Sequence, residues 1–410
     1  MRALAGVRVL DLTQIMAGPF STMLLADLGA TVIKIERPEG GDDARRMGFE
    51  VDREKHESLS FIAMNRNKYG VAVDIRTPDG KDILRKLVQT ADVLVENFRP
   101  GTMAHLGCSY DDVYALNPSL IYCSISAYGQ TGPMAERGGF DLVAQALSGV
   151  ISVTGTPDHP AKSGVPLSDL NAGLYASHAI LAALFHRAIT GEGQYIDTSL
   201  LEAALAYTIW ESNEYWATGI PPEGLGTAHR NSAPYQTFPT QDGAIAIGAA
   251  NQRNWERLAR ILGLEHLLDD DRFLSNGSRL AHRQELESVL VPLFRLRTTN
   301  EWLALMETAE VPAGPVLNMA QVYRHPQVQA RHMEVTHQHP VAGTVHAIGM
   351  PVKFSKTPAE ITRSSPLLGQ HTFKFLQEIG YSLKDCLAFE EKNIVYDAHQ
   401  EAHHVQGTVN

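Results

Sequence analysis

The sequence has few cysteines, no surplus of positive charge and no long stretch free of polar residues. Cys108, Cys123 and Cys386 are its only cysteines and form no close pair, so neither a disulfide framework nor a cysteine zinc site is indicated. The formal charge of −11 at pH 7 argues against a general binder of nucleic acids or membrane surfaces. We therefore expect a reducing compartment, the cytoplasm, with the mitochondrial matrix as the alternative.

Segments for export or membrane insertion are not predicted either. The N-terminal MRALAGVRVLDLT enters a strand pattern at Val7, which leaves no room for the apolar core of a signal peptide. The longest apolar run, about residues 170–189, contains Asn171, His178 and His186. These polar residues favour a buried helix over a membrane span, so we expect a globular protein without membrane or nucleic-acid partners.

Several common catalytic and cofactor motifs are missing. QIMAGP follows the first predicted strand in place of a G-x-G-x-x-G turn, which removes most of the support for nicotinamide-dependent hydride transfer. The chain also has no P-loop, no G-x-S-x-G elbow and no Ser-His-Asp order. The usual phosphate-binding and serine-hydrolase chemistries are therefore not predicted.

Two histidine pairs are the candidates for a metal site. His337 and His339 would face one side of a strand, while His399 and His403 would lie one helical turn apart. Neither pair has an evident third ligand nearby, so we predict no metal site.

The first part of the chain has the pattern of a doubly wound α/β fold. Short apolar runs rich in β-branched residues alternate with helix-like segments, which indicates βαβ crossovers and a parallel sheet. After Asp169 we predict a helix of small residues, a strand at 193–199 and one long helix at 199–219. The earlier predicted strands lie at 7–12, 31–36, 71–75, 92–98 and 120–126, and the helices between them at 17–30 and 78–91.

The composition changes at residues 219–228, whose glycines and prolines we interpret as a linker. The large domain would occupy residues 1–218, and residues 229–325 would form a smaller α+β domain inserted into it. That domain opens with a predicted hairpin around Asp242-Gly243 and contains a capping box, Thr298 with Glu301. Residues 326–410 would return to the large domain, with a two-stranded pattern at 333–354 and a helix near HTFKFLQEIG.

Asp169 stands at the start of the small-residue helix, in GVPLSDLNAG at residues 164–173. The residues alone favour a helix cap, because an Asp side chain at that position accepts bonds from free backbone N–H groups. The alternative is a nucleophile, since no other motif in the chain offers one. The positive end of the helix dipole would favour its ionised form.

Anion binding is the other chemistry that the pattern indicates. Ligands of doubly wound sheets bind at the carboxyl ends of the strands. There, the loop of residues 14–18 offers N–H groups at a helix start for an anion or an oxyanion. Arg37, Arg45, Arg46 and Arg76 follow neighbouring strands, and phosphate binding and plain solvation of these arginines are about equally supported.

An ordered series of motifs resembles the class III CoA-transferase family, which includes formyl-CoA transferase, carnitine CoA-transferase and α-methylacyl-CoA racemase. The series covers nearly the whole chain. The resemblance implies an open Rossmann-like domain with a smaller inserted domain, in a homodimer whose two chains interlock. The motifs are VLDLTQIMAGPFSTMLLADLGATVIKIERPEGGD, NRNKYGVAVDIRTPDG, VENFRPG, SAYGQTGP, GVPLSDLNAGLYA and PLLGQH.

The resemblance places the family's catalytic aspartate on Asp169. It implies a mixed aspartyl–acyl anhydride and an aspartyl-CoA thioester as intermediates, with CoA thioesters as substrates and no metal or tightly bound cofactor. His105 and Gly138 depart from formyl-CoA transferase, which has an arginine and a lysine there. The positions that match the family's CoA contacts are Met16, Ala17, Arg37, Val73, Asp74, Ile75, Arg76, Asn97, Phe98, Arg99, His105, Gly138, Gly139 and Phe140.

The substrate prediction comes from GTAHRNSAPYQTF and SPLLGQHT. These two segments resemble those of family members that pass CoA from succinyl-CoA to a short dicarboxylate such as glutarate, malate, mesaconate or itaconate. Arg230 would either bind the distal carboxylate of that acid or only order its own loop. The candidate acceptor contacts are Gln14, His229, Arg230, Asn231 and Ser232.

Three alternatives have less support. An oxalate-type transferase would carry a glycine-rich loop where this chain has GTAHRNSAPY. A racemase would need a proton-moving histidine where this chain has Phe140. A non-catalytic CoA sensor would have no use for the retained nucleophile.

Overall fold

The computed structural model describes residues 2–52 and 57–398. The chain divides into two compact units. Unit 1 comprises residues 1–150, 163–212 and 331–410, and unit 2 comprises residues 151–162 and 213–330. Residues 219–228, predicted as a linker, lie within unit 2.

The β-strands of the described residues are short and spread over the whole chain. They are β1 (Arg8–Asp11), β2 (Thr31–Glu36), β3 (Glu50–Asp52), β4 (Glu57–Ser58), β5 (Lys68–Val73), β6 (Val93–Glu96), β7 (Ile121–Ser126), β8 (Gly155–Thr156), β9 (His159–Pro160), β10 (Tyr195–Ser199), β11 (Tyr235–Pro239), β12 (Ala244–Gly248), β13 (Ala313–Pro315), β14 (Glu334–His339), β15 (Gly343–Ile348) and β16 (Val395–Tyr396).

The helices include two short 3₁₀ turns, Asp43–Arg46 and Glu265–Asp269. The α-helices are α1 (Ala17–Asp27), α2 (Leu59–Met64), α3 (Pro78–Gln89), α4 (Thr102–His105), α5 (Tyr110–Tyr114), α6 (Asp141–Leu147), α7 (Val150–Val153), α8 (Leu167–Thr190), α9 (Leu200–Leu205), α10 (Ile209–Thr218), α11 (Gln252–Ile261), α12 (Asn276–Ala281), α13 (Arg283–Phe294), α14 (Thr299–Thr308), α15 (Met319–Val322), α16 (Pro326–Ala330), α17 (Thr372–Glu378) and α18 (Leu383–Glu391).

The central sheet of unit 1 has the strand order β10-β7-β6-β1-β2-β5-β16. The predicted parallel sheet is confirmed, since every neighbouring pair from β10 to β5 is parallel. From β1 the chain winds outward through β2 and β5, then crosses back to β6, β7 and β10. The winding direction therefore reverses between β1 and β6, where doubly wound sheets open a crevice for ligands.

Helices cover both faces of this sheet. Leu10 of β1 faces a core shared with Leu84 of α3 and with Phe375 of α17, whereas the adjacent Val9 faces a core shared with α1 and α8. Burial on both faces explains why the strands read as continuous apolar runs rather than as alternating patterns. The helix of HTFKFLQEIG is α17, which lies in unit 1.

A helix and an edge strand differ from the sequence prediction. The single helix predicted at 199–219 is wrong, because α9 ends at Leu205 and α10 begins at Ile209. The Thr208 hydroxyl donates to the Leu205 carbonyl oxygen at 2.8 Å, a local side-chain bond of the kind that competes with a continuing helix. The edge strand β16, antiparallel to β5, was not predicted, because two residues carry no periodic signal.

Unit 2 contains an antiparallel sheet of order β11-β12-β13. The hairpin predicted around Asp242-Gly243 is confirmed as β11 and β12, and the Thr298–Glu301 capping box opens α14 as predicted. Trp255, Phe294 and Trp302 belong to its apolar core. The two-stranded pattern predicted at 333–354 is the β14–β15 hairpin, which belongs to unit 1.

The approach of α1 to α8 depends on Gly173. A Cβ atom at this position would collide with the carbonyl oxygen of Ala17 and lie 3.0 Å from Cδ1 of Phe20. Ala172 and Ala176 are fully buried in the same core. Small residues on α8 therefore let the start of α1 approach the helix that carries Asp169.

We expect Gly173→Ala to lower the free energy of unfolding by about 1–3 kcal/mol, because the added methyl group overpacks this contact. Urea denaturation measures the change. Gly164→Ala is the matched control, since no atom lies within 4 Å of its added Cβ, and its effect should stay within about 0.5 kcal/mol. Equal stability of the two variants would contradict the proposed close contact.

Candidate active site

A cavity of about 360 Å³ opens at the carboxyl ends of β1, β6 and β7. This place coincides with the reversal of winding between β1 and β6, and the volume suits a small-molecule site. Its walls come from the segments that follow these strands and from the starts of α1 and α8. The lining residues are Gln14, Ile15, Met16, Ala17, Asn97, Phe98, Arg99, Pro100, Ile125, Ser126, Ala127, Arg137, Gly138, Gly139, Phe140, Asp169 and Leu200.

Asp169 lies in the first turn of α8 and lines this cavity. The helix-cap interpretation is wrong, because α8 begins two residues earlier, at Leu167, and Pro166 occupies the N-cap position. Proline has no side-chain acceptor for the free N–H groups. Asp141 supplies one from α6, since its Oδ1 accepts the backbone N–H of Ser168 at 2.8 Å.

The environment of Asp169 opposes its negative charge. Burial, followed by the negative charge of Asp141, raises the pKa of the Asp169 carboxyl from 3.8 to about 6. The expected preference for the ionised form at the positive end of the helix is thus outweighed. At neutral pH the carboxylate still predominates, and it is more basic than an ordinary aspartate.

The loop that follows β1 is held on two sides. The Asn97 side chain accepts the N–H of Gln14 and donates to the Gln14 carbonyl oxygen, both at 2.8 Å. Asp42 accepts the N–H of Ile15 at 3.0 Å. Ile15 has a φ of 71°, which is strained for a β-branched residue, so these contacts maintain a conformation that the chain alone would not keep.

Buried charges lie beneath this loop. Lys34 donates to the carbonyl oxygen of Thr13 at 2.7 Å and lies 3.0 Å from Asp42. Lys68 pairs with Asp11 at 2.9 Å and donates to the carbonyl oxygen of Pro19. Burial lowers the pKa of Lys68 to about 8, although Asp11 opposes the shift. Two ion pairs therefore fix the backbone on either side of the Gln14–Met16 segment.

The predicted CoA contacts fall into two groups. Met16, Ala17, Asn97, Phe98, Arg99, Gly138, Gly139 and Phe140 line the cavity together with Gln14 and Asp169. Val73, Ile75 and Arg37 do not line it. Asp74 and Arg76 pair with each other at 2.8 Å, and Nδ1 of His105 lies 2.6 Å from the carbonyl oxygen of Gly101.

The arginines predicted for phosphate binding have different surroundings. Arg37 pairs with Asp43 near the surface. Arg45 is fully buried between Glu36 and Glu57, and this position excludes the proposed phosphate contact. Its charge neutralises carboxylates within the fold.

Sequence reasoning missed Arg137 as a cavity residue. Arg137 and Arg99 are exposed, and among the described residues neither guanidinium forms an ion pair. Arg99 lies beside Gly138, where a Cβ would be 3.2 Å from its Nη2 atom. Arg137 directly precedes the matched position Gly138, and this adjacency is the one signal that the sequence offered.

The predicted acceptor residues other than Gln14 lie in unit 2. Arg230 lies 3.3 Å from Glu214 and donates to the carbonyl oxygen of Glu223 at 2.7 Å. Arg283 donates to the carbonyl oxygen of His229, and the Asn276 side chain donates to that of Asn231. These contacts fit the loop-ordering interpretation of Arg230, and the acceptor roles of His229, Arg230, Asn231 and Ser232 stay predictions.

The described residues contain no cluster of three or more His, Cys, Asp or Glu side chains that could hold a metal ion. His339 is buried, with its Nε2 atom 3.8 Å from Glu57. The pair His399 and His403 lies outside the described residues. Within the same described ranges, no helix is both long and apolar enough to cross a membrane.

Comparisons with known proteins agree over nearly the whole chain. The family model described as CoA-transferase family III matches residues 4–372. The succinate–glutarate CoA-transferase of Agrobacterium fabrum is 40% identical over 381 residues, which cover 92% of this chain and 95% of that protein. The human succinyl-CoA:glutarate CoA-transferase is 41% identical over 380 residues, covering 92% and 86%. A CaiB/BaiF family crystal structure from Brucella suis superposes with a TM-score of 0.83 at 38% identity, covering 92% and 99%.

We expect Asp169→Asn to stabilise the fold at pH 7.5 by about 1–3 kcal/mol, because it removes a charge that burial disfavours. Because the pKa of Asp169 is raised in the folded state, the native carboxyl contributes to folding stability in full below about pH 4, and this contribution is lost as pH rises through about 6. Urea unfolding of both proteins at pH 4 and pH 7.5 measures the difference.

Asp111→Asn, at an exposed carboxylate, is the control and should show no such pH-dependent gain. An Asp169→Asn variant that is less stable than the parent at pH 7.5 would contradict the inferred cost of the buried charge.

Proposed function

Because the chain belongs to CoA-transferase family III, we propose that it moves CoA from succinyl-CoA to a short dicarboxylic acid through covalent catalysis by Asp169. The observation that carries this proposal is that Asp169, a partly buried carboxylate, lines the strand-end cavity together with the start of α1, Arg99 and Arg137. The names of the Agrobacterium and human relatives support succinate and glutarate as the acids exchanged.

The first half of the reaction acylates Asp169 and then transfers CoA to it. A carboxylate oxygen attacks the thioester carbonyl carbon, the C–S bond breaks, and the electron pair leaves as CoA thiolate. The thiolate next attacks the aspartyl carbonyl of the mixed anhydride. Succinate leaves as a carboxylate, and Asp169 then carries CoA as a thioester.

The second half repeats these steps in reverse. The incoming carboxylate attacks the aspartyl thioester and expels the thiolate, which then attacks the acyl carbonyl of the new anhydride. The new CoA thioester leaves, and Asp169 regains its negative charge. Each step exchanges one activated acyl group for another, so neither the energy of a nucleotide nor a net proton transfer is required.

The start of α1 supports the oxyanion of each tetrahedral intermediate. A helix start presents free backbone N–H groups and positive partial charge. Met16 and Ala17 line the cavity with Asp169, and the contacts that hold Ile15 in its strained conformation fix the backbone just before them. Preorganised donors of this kind stabilise charge without reorganising during the reaction.

Arg99 and Arg137 supply positive charge for the CoA phosphates. A protein with a net charge of −11 needs local cations to hold an anionic substrate. Both guanidiniums lie at the cavity and form no ion pair in the described residues, so binding requires no existing pair to break. Asn97 and Phe98 line the same wall.

We also propose that two copies of the chain form a homodimer in which the chains interlock, as the family resemblance implies. Phe185 and Ile189 on α8 are each 71% exposed, and Leu174 on the same helix is 50% exposed. Large apolar side chains clustered on one helix of a folded chain mark a surface that a partner covers. A second copy of the chain is the partner that this family implies.

We expect succinyl-CoA to leave Asp169 covalently modified. Hydroxylamine added during turnover with glutarate should convert the position to a hydroxamate, because both intermediates are activated acyl groups. Peptide mass spectrometry locates the change, and Asp169→Asn should exchange no CoA. Continued exchange with position 169 unmodified would refute the mechanism, and deuterium uptake by an acyl-CoA without any acceptor acid would favour a racemase instead.

We expect Arg137→Ala to raise the KM for succinyl-CoA at least about tenfold and leave the KM for the acceptor acid within about twofold, because charge-assisted phosphate contacts contribute about 1.5–3 kcal/mol. Arg324→Ala, at an exposed arginine of unit 2, is the control. Steady-state kinetics with each substrate varied in turn separates the two constants, and equal KM changes would remove the phosphate role.

A further inference from the structure

Two side chains of α6 hold the segment that leads into α8. The Oδ1 atom of Asp141 accepts the N–H of Ser168 at 2.8 Å, and its Oδ2 atom accepts from the Gln145 amide at 2.7 Å. The side-chain Oε1 atom of Gln145 accepts the N–H of Ser163 at 2.9 Å. Gln145 is fully buried. The bonds to Ser163 and Ser168 attach both ends of residues 163–168 to one turn of α6.

The bond from the N–H of Ser168 does not require the negative charge of Asp141. An asparagine offers the same Oδ1 acceptor to Ser168, and asparagine caps helices about as well as aspartate. The carboxylate does, however, stand next to the N–H of the residue that precedes Asp169. In a partly desolvated site, a second negative charge there costs free energy.

We propose that Asp141 is a positioning residue that also activates the nucleophile: it fixes the first turn of α8, and its charge destabilises ionised Asp169 relative to acylated Asp169. This inference rests on the proposed function. On acylation, the negative charge passes from the Asp169 oxygen to the departing thiolate sulfur, and the anhydride left behind is neutral. The repulsion is therefore relieved at the step that forms the covalent bond.

The titration of Asp169 supports the same conclusion. After burial, Asp141 is the charged group that raises the pKa of Asp169. Arg99 and Arg137 also line the cavity. The acidic groups on the other elements packed against α8 have partners of their own: Asp197 of β10 accepts the N–H of Gln130, Glu202 of α9 accepts from Ser199, and Asp27 of α1 pairs with Arg66.

Two variants separate the charge from the hydrogen bonds. Asp141→Asn keeps the acceptor for Ser168 but removes the charge together with the acceptor for the Gln145 amide. Its acidic limb of kcat should move down by about one pH unit, and its kcat at pH 7.5 should fall about threefold to tenfold. Gln145→Ala removes the side-chain bonds of Gln145 to Asp141 and Ser163 but keeps the charge of Asp141. Its kcat should therefore fall while the acidic limb of kcat stays near pH 6. Asp111→Asn is the control and should match the parent.

Asp141→Glu retains the charge and tests the inference if the Asn variant does not fold. Its acidic limb should stay at the parent position even where kcat falls. A parent-like limb in Asp141→Asn, or a lowered limb in Asp141→Glu, would overturn the charge role. If the parent exchanges no CoA and Asp169 is never acylated, the proposed function itself fails, and that result is distinct from an unchanged limb in an active enzyme.

Discussion

The buried ion pairs beneath the loop after β1 are the constraint on which the candidate site depends. Lys34 with Asp42 and Lys68 with Asp11 lie in the interior of unit 1, where unpaired charges would be costly. Each lysine also binds a backbone carbonyl oxygen, of Thr13 or of Pro19, so the pairs anchor the main chain on both sides of the loop. An apolar replacement would fill the space but could not hold these carbonyl groups in place.

A second constraint places Asp169, the proposed nucleophile, against that loop. The small residues of α8 allow α1 to approach until Gly173 touches the Ala17 backbone. Asp169 lies one helical turn before Gly173 and therefore lines the cavity with Met16 and Ala17. The packing of small residues on α8 and the buried ion pairs thus both fix the position of the start of α1.

The sequence predicted those parts of the fold in which neighbouring residues suffice. β2 and β7 were readable from their apolar and β-branched residues. The start of β5 was not predicted, because its Lys68 is neutralised by Asp11, which is distant in the chain. Arg45 resembled a surface cation for the same reason, since Glu36 and Glu57 become its partners only after folding. The ordered motifs of a family made Asp169 a candidate nucleophile. The acceptor for the first turn of its helix, Asp141, comes from another element that no local pattern connects to it.

The position of β16 has a consequence for biosynthesis. This strand, Val395–Tyr396, covers the β5 edge of the central sheet, and residues 213–330 of unit 2 are translated between β10 and β16. During translation the ribosome therefore completes unit 2 before β16 is available to pair with the β5 edge of the central sheet. A nascent chain in this condition presents a strand edge on which other chains can pair, so chaperones have a defined interval in which to protect it.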